Sequence, residues 1–400
     1  MGDVEGLVAD GFERVAEEFS RNFSERGEVG AGVAVYVGGE CVVDLTGGTV
    51  GESDDTPYGA DALQMVYSTT KGATAACAHL LVQRGLLDLD APVAEYWPEF
   101  AAQGKGEVPV RWLLSHRVGL PDVDRPMTVD EALAWDPVID ALAASAPLWE
   151  PGTQHGYHAV TFGWLVGELV RRVSGRSLGT FFAEEVAAPL DLEFTIGTPE
   201  PLHDRIVPVI PMGAPEGLDL GAMTSPDGEG SPPDMLQMLD MLMGPGNLIG
   251  RALTAPGGAF ADQAVWNTPA LWQAELGAAN GITNARSLAR FYASMVGEVD
   301  GVRLLSEETV RQAIEPQVSG PDAVLMFPIP FGLGYMREAP GMLSLGGPGG
   351  FGHYGAGGSV GLADVDRGFS IGYVMNKMQL GLAGDPRSAS LIDAVNASLD

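Results

Sequence analysis

The sequence predicts an α+β protein. One antiparallel sheet is built from both ends of the chain and flanked by terminal helices, with a mostly helical domain inserted between them. Three observations predict this. Two apolar runs flank a glycine turn near the start. Apolar residues three and four apart dominate the middle. Strand-like apolar runs return near the end.

Val4, Leu7, Val8, Phe12, Val15, Phe19 and Phe23 recur at three and four residues, the spacing of a helix packed by one face. Residues 31–37 and 41–45 are apolar runs around Gly38-Gly39 and read as a β-hairpin. A helical pattern runs from Ser68 to about Arg84 and stops at Gly85, a residue suited to a helix C-terminus. Helical spacing continues at Phe162, Leu165, Val166, Leu169, Val170 and Val173, and again at Leu288, Phe291, Tyr292 and Met295. The stretch 211–262 is loop-like and holds Met235, Met238, Met241 and Met243. That run reads as a packed short helix or as an adaptable wall or lid over a pocket. Residues 331–335, 359–363 and 369–374 read as strands. Asp385-Pro386 then opens a last helix with Leu391, Val395 and Leu399 on one face. The expected division is an α/β domain from residues 1–75 and 281–400, with 76–280 as the helical insert.

Composition excludes several function classes. The chain has 400 residues, enough for a large core, and 53 acidic against 22 basic side chains give a net charge of −31. Nucleic acid and anionic membrane both need basic patches, so neither is expected as a partner. No apolar run approaches the roughly 18 residues of a membrane helix. Met1-Gly2-Asp3-Val4-Glu5 has neither a basic n-region nor an apolar h-region, so no signal peptide is read here and a cytoplasmic location is expected. Cys41 and Cys77 are too few for a disulfide framework and read as buried free thiols. The six histidines show no metal-ligand spacing, so no metal or cofactor is implied.

The chemistry concentrates at Ser68-Thr69-Thr70-Lys71-Gly72. Residues three apart on a helix share a face, which sets the Lys71 amine beside the Ser68 hydroxyl. A serine hydroxyl is a weak nucleophile until a base takes its proton. Lysine serves as that base once burial and the positive end of a helix lower its pKa. The chain has 20 serines and only three lysines, Lys71, Lys105 and Lys377. About 0.15 accidental Ser-x-x-Lys matches are expected from those numbers.

In this context the sequence resembles the serine β-lactamase and penicillin-binding-protein superfamily, most of all its class C-like branch with the family VIII carboxylesterases. The matching stretches occur in the family's order. They are residues 67–72, Arg84-Gly85-Leu86 through Val93, Leu113-Leu114-Ser115-His116 through Pro121, and Trp149-Glu150-Pro151-Gly152-Thr153 leading to Tyr157. Ala279-Asn280-Gly281-Ile282 and Gly352-His353-Tyr354-Gly355-Ala356 follow. The resemblance implies a β-lactamase-like fold, with Ser68 as nucleophile and Lys71 as its base. It implies that Tyr157, with a depressed pKa beside a lysine ammonium, relays protons. It implies an oxyanion hole from the backbone N–H groups of Ser68 and Ala356, and substrate contacts at His353, Tyr354 and Gly355.

Two positions depart from the pattern. Tyr157-His158-Ala159 has alanine where the second motif usually carries asparagine or serine. His353 stands where β-lactamases often have lysine. Both changes remove contacts to a β-lactam or peptidoglycan substrate and leave ester hydrolysis intact. His116 is read as structural. Gly357-Gly358-Ser359-Val360-Gly361 fits the Gly-x-Ser-x-Gly nucleophile elbow, but no histidine follows His353, so that reading fails on chain order. The expected activity is hydrolysis of short- to medium-chain esters of small molecules through a Ser68 acyl-enzyme, by a monomer or homodimer. The alternatives are a β-lactamase or D-amino peptidase/amidase, an acyltransferase, and a non-catalytic binding protein.

Overall fold

The computed structural model describes residues 4–212 and 247–400. The Met235, Met238, Met241 and Met243 run lies outside the described residues.

Gly38 and Gly39 adopt φ values of 57° and 89°, the left-handed backbone a tight hairpin turn needs. They join β2 (Gly30–Val37) to β3 (Glu40–Gly51), with Val33 opposite Leu45 and Val37 opposite Glu40. Around this hairpin lie β1 (Glu5–Val8), β4 (Asp54–Pro57), β8 (Met336–Arg337), β9 (Gly350–Tyr354), β10 (Val360–Asp364) and β11 (Phe369–Met375). They form one antiparallel sheet in the order β1-β3-β2-β11-β10-β9-β8, with β4 on β3. A small second sheet pairs β5 (Gln64–Met65) and β6 (Phe194–Thr195) with β7 (Ile282–Thr283). The main sheet thus draws its strands from the two ends of the chain.

The main helices are α1 (Glu13–Glu25), α2 (Thr70–Gln83), α3 (Thr161–Ser174), α4 (Ala285–Val296) and α5 (Pro386–Leu399). Helix α4 lies across β2, β10 and β11. Glycines on those strands permit the approach: a Cβ at Gly361 would stand 2.5 Å from the Tyr292 ring, and one at Gly372 2.5 Å from the Ala285 carbonyl. Val33, Val35, Ile371 and Tyr373 are also fully buried. Helices α1 and α5 pack together, and α2 packs on α3.

Two expected elements differ. Val4, Leu7 and Val8 do not join the first helix: residues 5–8 pair with β3, Leu7 opposite Asp44 and Val8 opposite Val43. Gly11, at φ 91°, breaks the chain before α1, and the free edge of β3 satisfies backbone groups that a longer helix would have satisfied internally. Residues 331–335 are not a strand. Phe331 makes isolated bridges to Val318 and Met336, while Leu333 and Gly334 donate to the carbonyls of Ala313 and Leu114 at 2.7 and 2.8 Å. Their backbone bonds go to helical neighbours, and the short strand begins only at Met336. Both cysteines are free; Cys77 is buried on α2, but Cys41 on β3 is only partly so. Among the described residues no helix is long and apolar enough to cross a membrane.

Candidate active site

Ser68 sits in a 3-10 turn (Tyr67–Thr69) that runs directly into α2. Tyr67 has a φ of 45°, a left-handed conformation that costs a non-glycine residue free energy. Bonds on both sides hold it. Val66 N–H donates to the Gly281 carbonyl at 2.9 Å, and Gly281 N–H donates to Thr70 Oγ1 at 2.8 Å. Thr70 Oγ1 in turn donates to the Tyr67 carbonyl at 2.6 Å. The pairing of β5 with β7 therefore aims the turn. Glycine must follow Lys71, because a Cβ at Gly72 would stand 2.1 Å from Tyr292 Oη. Ser68 itself stays partly exposed.

Lys71 is fully buried. Its Nζ lies 2.9 Å from Ser68 Oγ, 2.6 Å from the Ala159 carbonyl and 3.1 Å from the Ala278 carbonyl. Desolvation holds its pKa well below the usual 10.5. Two carbonyls can only accept, so each takes an N–H from Nζ. The Ser68 hydroxyl is the third partner, and the only one of the three that can give a proton. Ala159, at the unexpected third position of the second motif, contributes through its backbone.

Tyr157 is buried beside Lys71, whose Nζ is 4.8 Å from the ring centroid. Its hydroxyl is in hydrogen-bonding reach of Ser68. The rings of Phe331 and His353 lie near-parallel to it, each with its centroid 6.0 Å away. The depressed tyrosine pKa expected from sequence does not hold. Burial pushes the phenol above its usual value of 10, and the Ser68 hydrogen bond offsets this only in part. The reason is that the phenol itself is desolvated, which disfavours a tyrosinate, and the nearby Asp322 acts in the same direction.

His353 and Tyr354 end β9 and point to opposite faces. His353 is buried and neutral, its pKa lowered to about 3 by desolvation, then by Lys71. Its Nδ1 donates to the Tyr354 carbonyl at 2.6 Å, which leaves Nε2 as an acceptor without a partner among the described residues. The Tyr354 side chain is committed away from the serine, donating to the Ser344 carbonyl at 2.6 Å. Gly355 presses on the Ser68 turn: a Cβ there would meet the Val66 carbonyl at 2.2 Å. Ser359, the rejected elbow serine, is fully buried and donates to that same carbonyl at 2.9 Å. The N–H groups of Ser68 and Ala356 donate to no protein acceptor among the described residues.

His116 and His158 form the wall behind Tyr157. His158 N–H donates to His116 Nδ1 at 3.1 Å, and Leu120 N–H donates to His158 Nε2 at 2.9 Å. Both rings therefore serve as neutral acceptors, and burial lowers both pKa values. Sequence reasoning missed Asp322. Its buried Oδ1 accepts from the N–H groups of Tyr157, Val324 and Leu325 at 3.0, 2.8 and 2.8 Å. No local signal marks it, since its partner Tyr157 lies 165 positions away. Asp322→Ala is expected to strip three buried N–H groups of their acceptor, lowering stability by about 3 kcal/mol in denaturant unfolding. Among the described residues no group of three or more His, Cys, Asp or Glu side chains is placed to hold a metal.

The β-lactamase family profile matches residues 12–394. The chain belongs to the β-lactamase family. It is 36% identical over 385 residues to the esterase/beta-lactamase LipL of Mycobacterium tuberculosis, covering 94% of this chain and 83% of that one. A penicillin-binding protein homolog from Caulobacter crescentus superposes with a TM-score of 0.85 at 37% identity, over 99% of this chain and 100% of that one. A family VIII carboxylesterase superposes with a TM-score of 0.84 at 33% identity, over 98% of each chain. The protein is a serine hydrolase of β-lactamase fold. Within that family, a lysine hydrogen-bonded to a serine hydroxyl and to two carbonyls is an arrangement that suits acyl transfer through an ester intermediate.

Proposed function

We propose that this protein is a carboxylesterase acting on short- to medium-chain esters, with Ser68 as nucleophile. The observation that carries the reading is the Lys71 amine, buried and set between Ser68 Oγ and two carbonyl acceptors. Ser68 Oγ attacks the ester carbonyl as Lys71 takes its proton. The oxyanion accepts from the N–H groups of Ser68 and Ala356. The Tyr157 phenol protonates the departing alkoxide and recovers a proton from the Lys71 ammonium. Water then attacks the acyl-enzyme, giving its proton to Lys71 through Tyr157, and Ser68 Oγ is reprotonated as the acid leaves. His353 and Gly355 border the substrate; Tyr354 contributes its backbone.

The ester preference rests on two features. His353 is a buried neutral imidazole where a β-lactamase lysine would hold a carboxylate, and Ala159 has no side-chain amide. The relative described as a family VIII carboxylesterase supports it, while the one described as an esterase/beta-lactamase fits either activity. The same reading divides the chain into an α/β domain of residues 1–75 and 281–400 and a helical insert of 76–280, and makes it a monomer or homodimer in the cytoplasm.

The test is turnover of p-nitrophenyl acetate and butyrate, with nitrocefin in parallel, by wild type and Ser68→Ala. Wild type is expected to hydrolyse both esters and nitrocefin slowly or not at all. Ser68→Ala is expected to lose on the order of 10⁴-fold or more in kcat. Full activity in Ser68→Ala would sink the assignment of the nucleophile. Nitrocefin turned over faster than either ester would make the chain a β-lactamase.

A further inference from the structure

Arg387, in the first turn of α5, is fully buried, and nothing in the proposed chemistry uses it. Its guanidinium has five N–H donors, and each has an acceptor. Nε donates to Asp385 Oδ1 at 3.0 Å. Nη1 donates to Glu28 Oε1 and to the Lys377 carbonyl, both at 2.9 Å. Nη2 donates to Asp385 Oδ2 at 2.8 Å and to the Gly357 carbonyl at 2.6 Å.

The last bond matters for function. Gly357 follows Ala356 in the turn that leaves β9. That turn is closed by Gly355 N–H to the Ser359 carbonyl at 2.8 Å and by Gly358 N–H to the Gly355 carbonyl at 3.2 Å. On one side the turn leans on the nucleophile segment through Gly355 and Ser359. On the other it leans on Arg387 and Asp385: a Cβ at Gly358 would stand 2.6 Å from Arg387 Nη2 and 2.7 Å from Asp385 Oδ2. The turn is therefore bracketed on both sides of Ala356: Gly355, whose peptide with Ala356 carries the N–H, rests against the Ser68 turn, and the peptide between Gly357 and Gly358 is held by a rigid planar cation. A planar fork saturated with acceptors has little freedom to move. Burying such a cluster is no efficient way to stabilise a fold, which argues for a geometric role.

We propose that Arg387 is a positioning residue that holds the Gly355–Gly358 turn so that the Ala356 N–H points at the oxyanion; the proposal rests on the acyl-enzyme reading above. Lysine at this position keeps the charge but not the fork. Arg387→Lys is expected to lose about 10- to 100-fold in kcat, less than full removal of an oxyanion donor. KM should change by no more than about threefold, because the ground-state carbonyl gains little from the hole.

The experiment uses the full chain with two probes that report on the oxyanion. One is an alkylboronic acid, whose tetrahedral adduct on Ser68 mimics the intermediate. The other is the ratio of rates on an ester and its thionoester, since sulfur is a larger and weaker acceptor in the hole. In Arg387→Lys the boronate should weaken by the same factor as kcat, and the preference for oxygen over sulfur should shrink. Arg367→Ala is the control, because it loosens the far end of α5 by removing bonds to Asn396 and Asp400. It should leave both probes unchanged. If Arg387→Lys does not fold, Asp385→Asn carries the test, since it disturbs the fork and keeps the side-chain volume. A folded variant with wild-type boronate affinity and wild-type oxygen preference overturns the proposal. A wild-type chain that forms no boronate adduct at Ser68 overturns the reading beneath it.

Discussion

Lys71→Met is expected to lower kcat for ester hydrolysis by about 10³-fold or more, because it removes the group proposed to accept the Ser68 proton. It should also change how stability depends on pH. In the unfolded chain Lys71 titrates near its usual 10.5, and in the fold burial holds it well below that. Between those two values unfolding takes up a proton. The unfolded state then binds more protons than the native one, so stability rises with pH through that window. Methionine contributes no such dependence. The wild type should therefore gain stability on Lys71→Met as pH is raised from neutral toward 10.5, measured by denaturant unfolding at several pH values. Parallel curves for the two proteins would mean that Lys71 is charged in the fold. Its role as base would then have to be withdrawn. The activity profile gives the same sign: turnover should fall as pH drops through the lowered lysine value.

Tyr157→Phe is expected to act according to the leaving group. A phenol whose pKa burial raises is protonated at neutral pH, so it acts first as a proton donor. An alkoxide leaves slowly without a proton, whereas p-nitrophenolate is stabilised by its own ring. The variant should lose about 10²- to 10⁴-fold on ethyl or butyl esters. On p-nitrophenyl esters the loss in acylation should be markedly smaller, leaving deacylation limiting and an initial burst visible. Equal losses on both ester classes would show that Tyr157 does not protonate the leaving group. The ring should remain in place, since Phe331 and His353 stack on it and Asp322 holds its backbone.

The parts of this protein legible in the sequence are those whose physics is local. Gly38-Gly39 and the apolar runs beside it specify a hairpin whatever surrounds them, and β10 and β11 are marked in the same way by short apolar runs. Ser68 and Lys71 are legible because three residues on a helix are one short step in space. The first helix shows the opposite case. The spacing of Val4, Leu7 and Val8 suits a helix, but the edge of β3 competed for the same backbone and won. The site has the same division. Asp322 has no signal of its own and acts on Tyr157 from a distant loop. The Tyr157 pKa was misread because it depends on burial of the phenol by distant segments.

By itself, then, the sequence determined the sheet from both ends of the chain, the helical pattern of the middle and the Ser68–Lys71 pair. Each of these depends on side-chain type at fixed short spacing, which a linear chain records directly. Only the tertiary structure decided that Lys71 is buried between the Ala159 and Ala278 carbonyls, that Ser359 donates to the Val66 carbonyl beside the Ser68 turn, and that Arg387 donates to the Gly357 carbonyl next to Ala356. Those outcomes depend on which buried acceptors meet which donors across 30 to 293 positions of sequence, and desolvation is a property of the assembled surroundings rather than of any one residue.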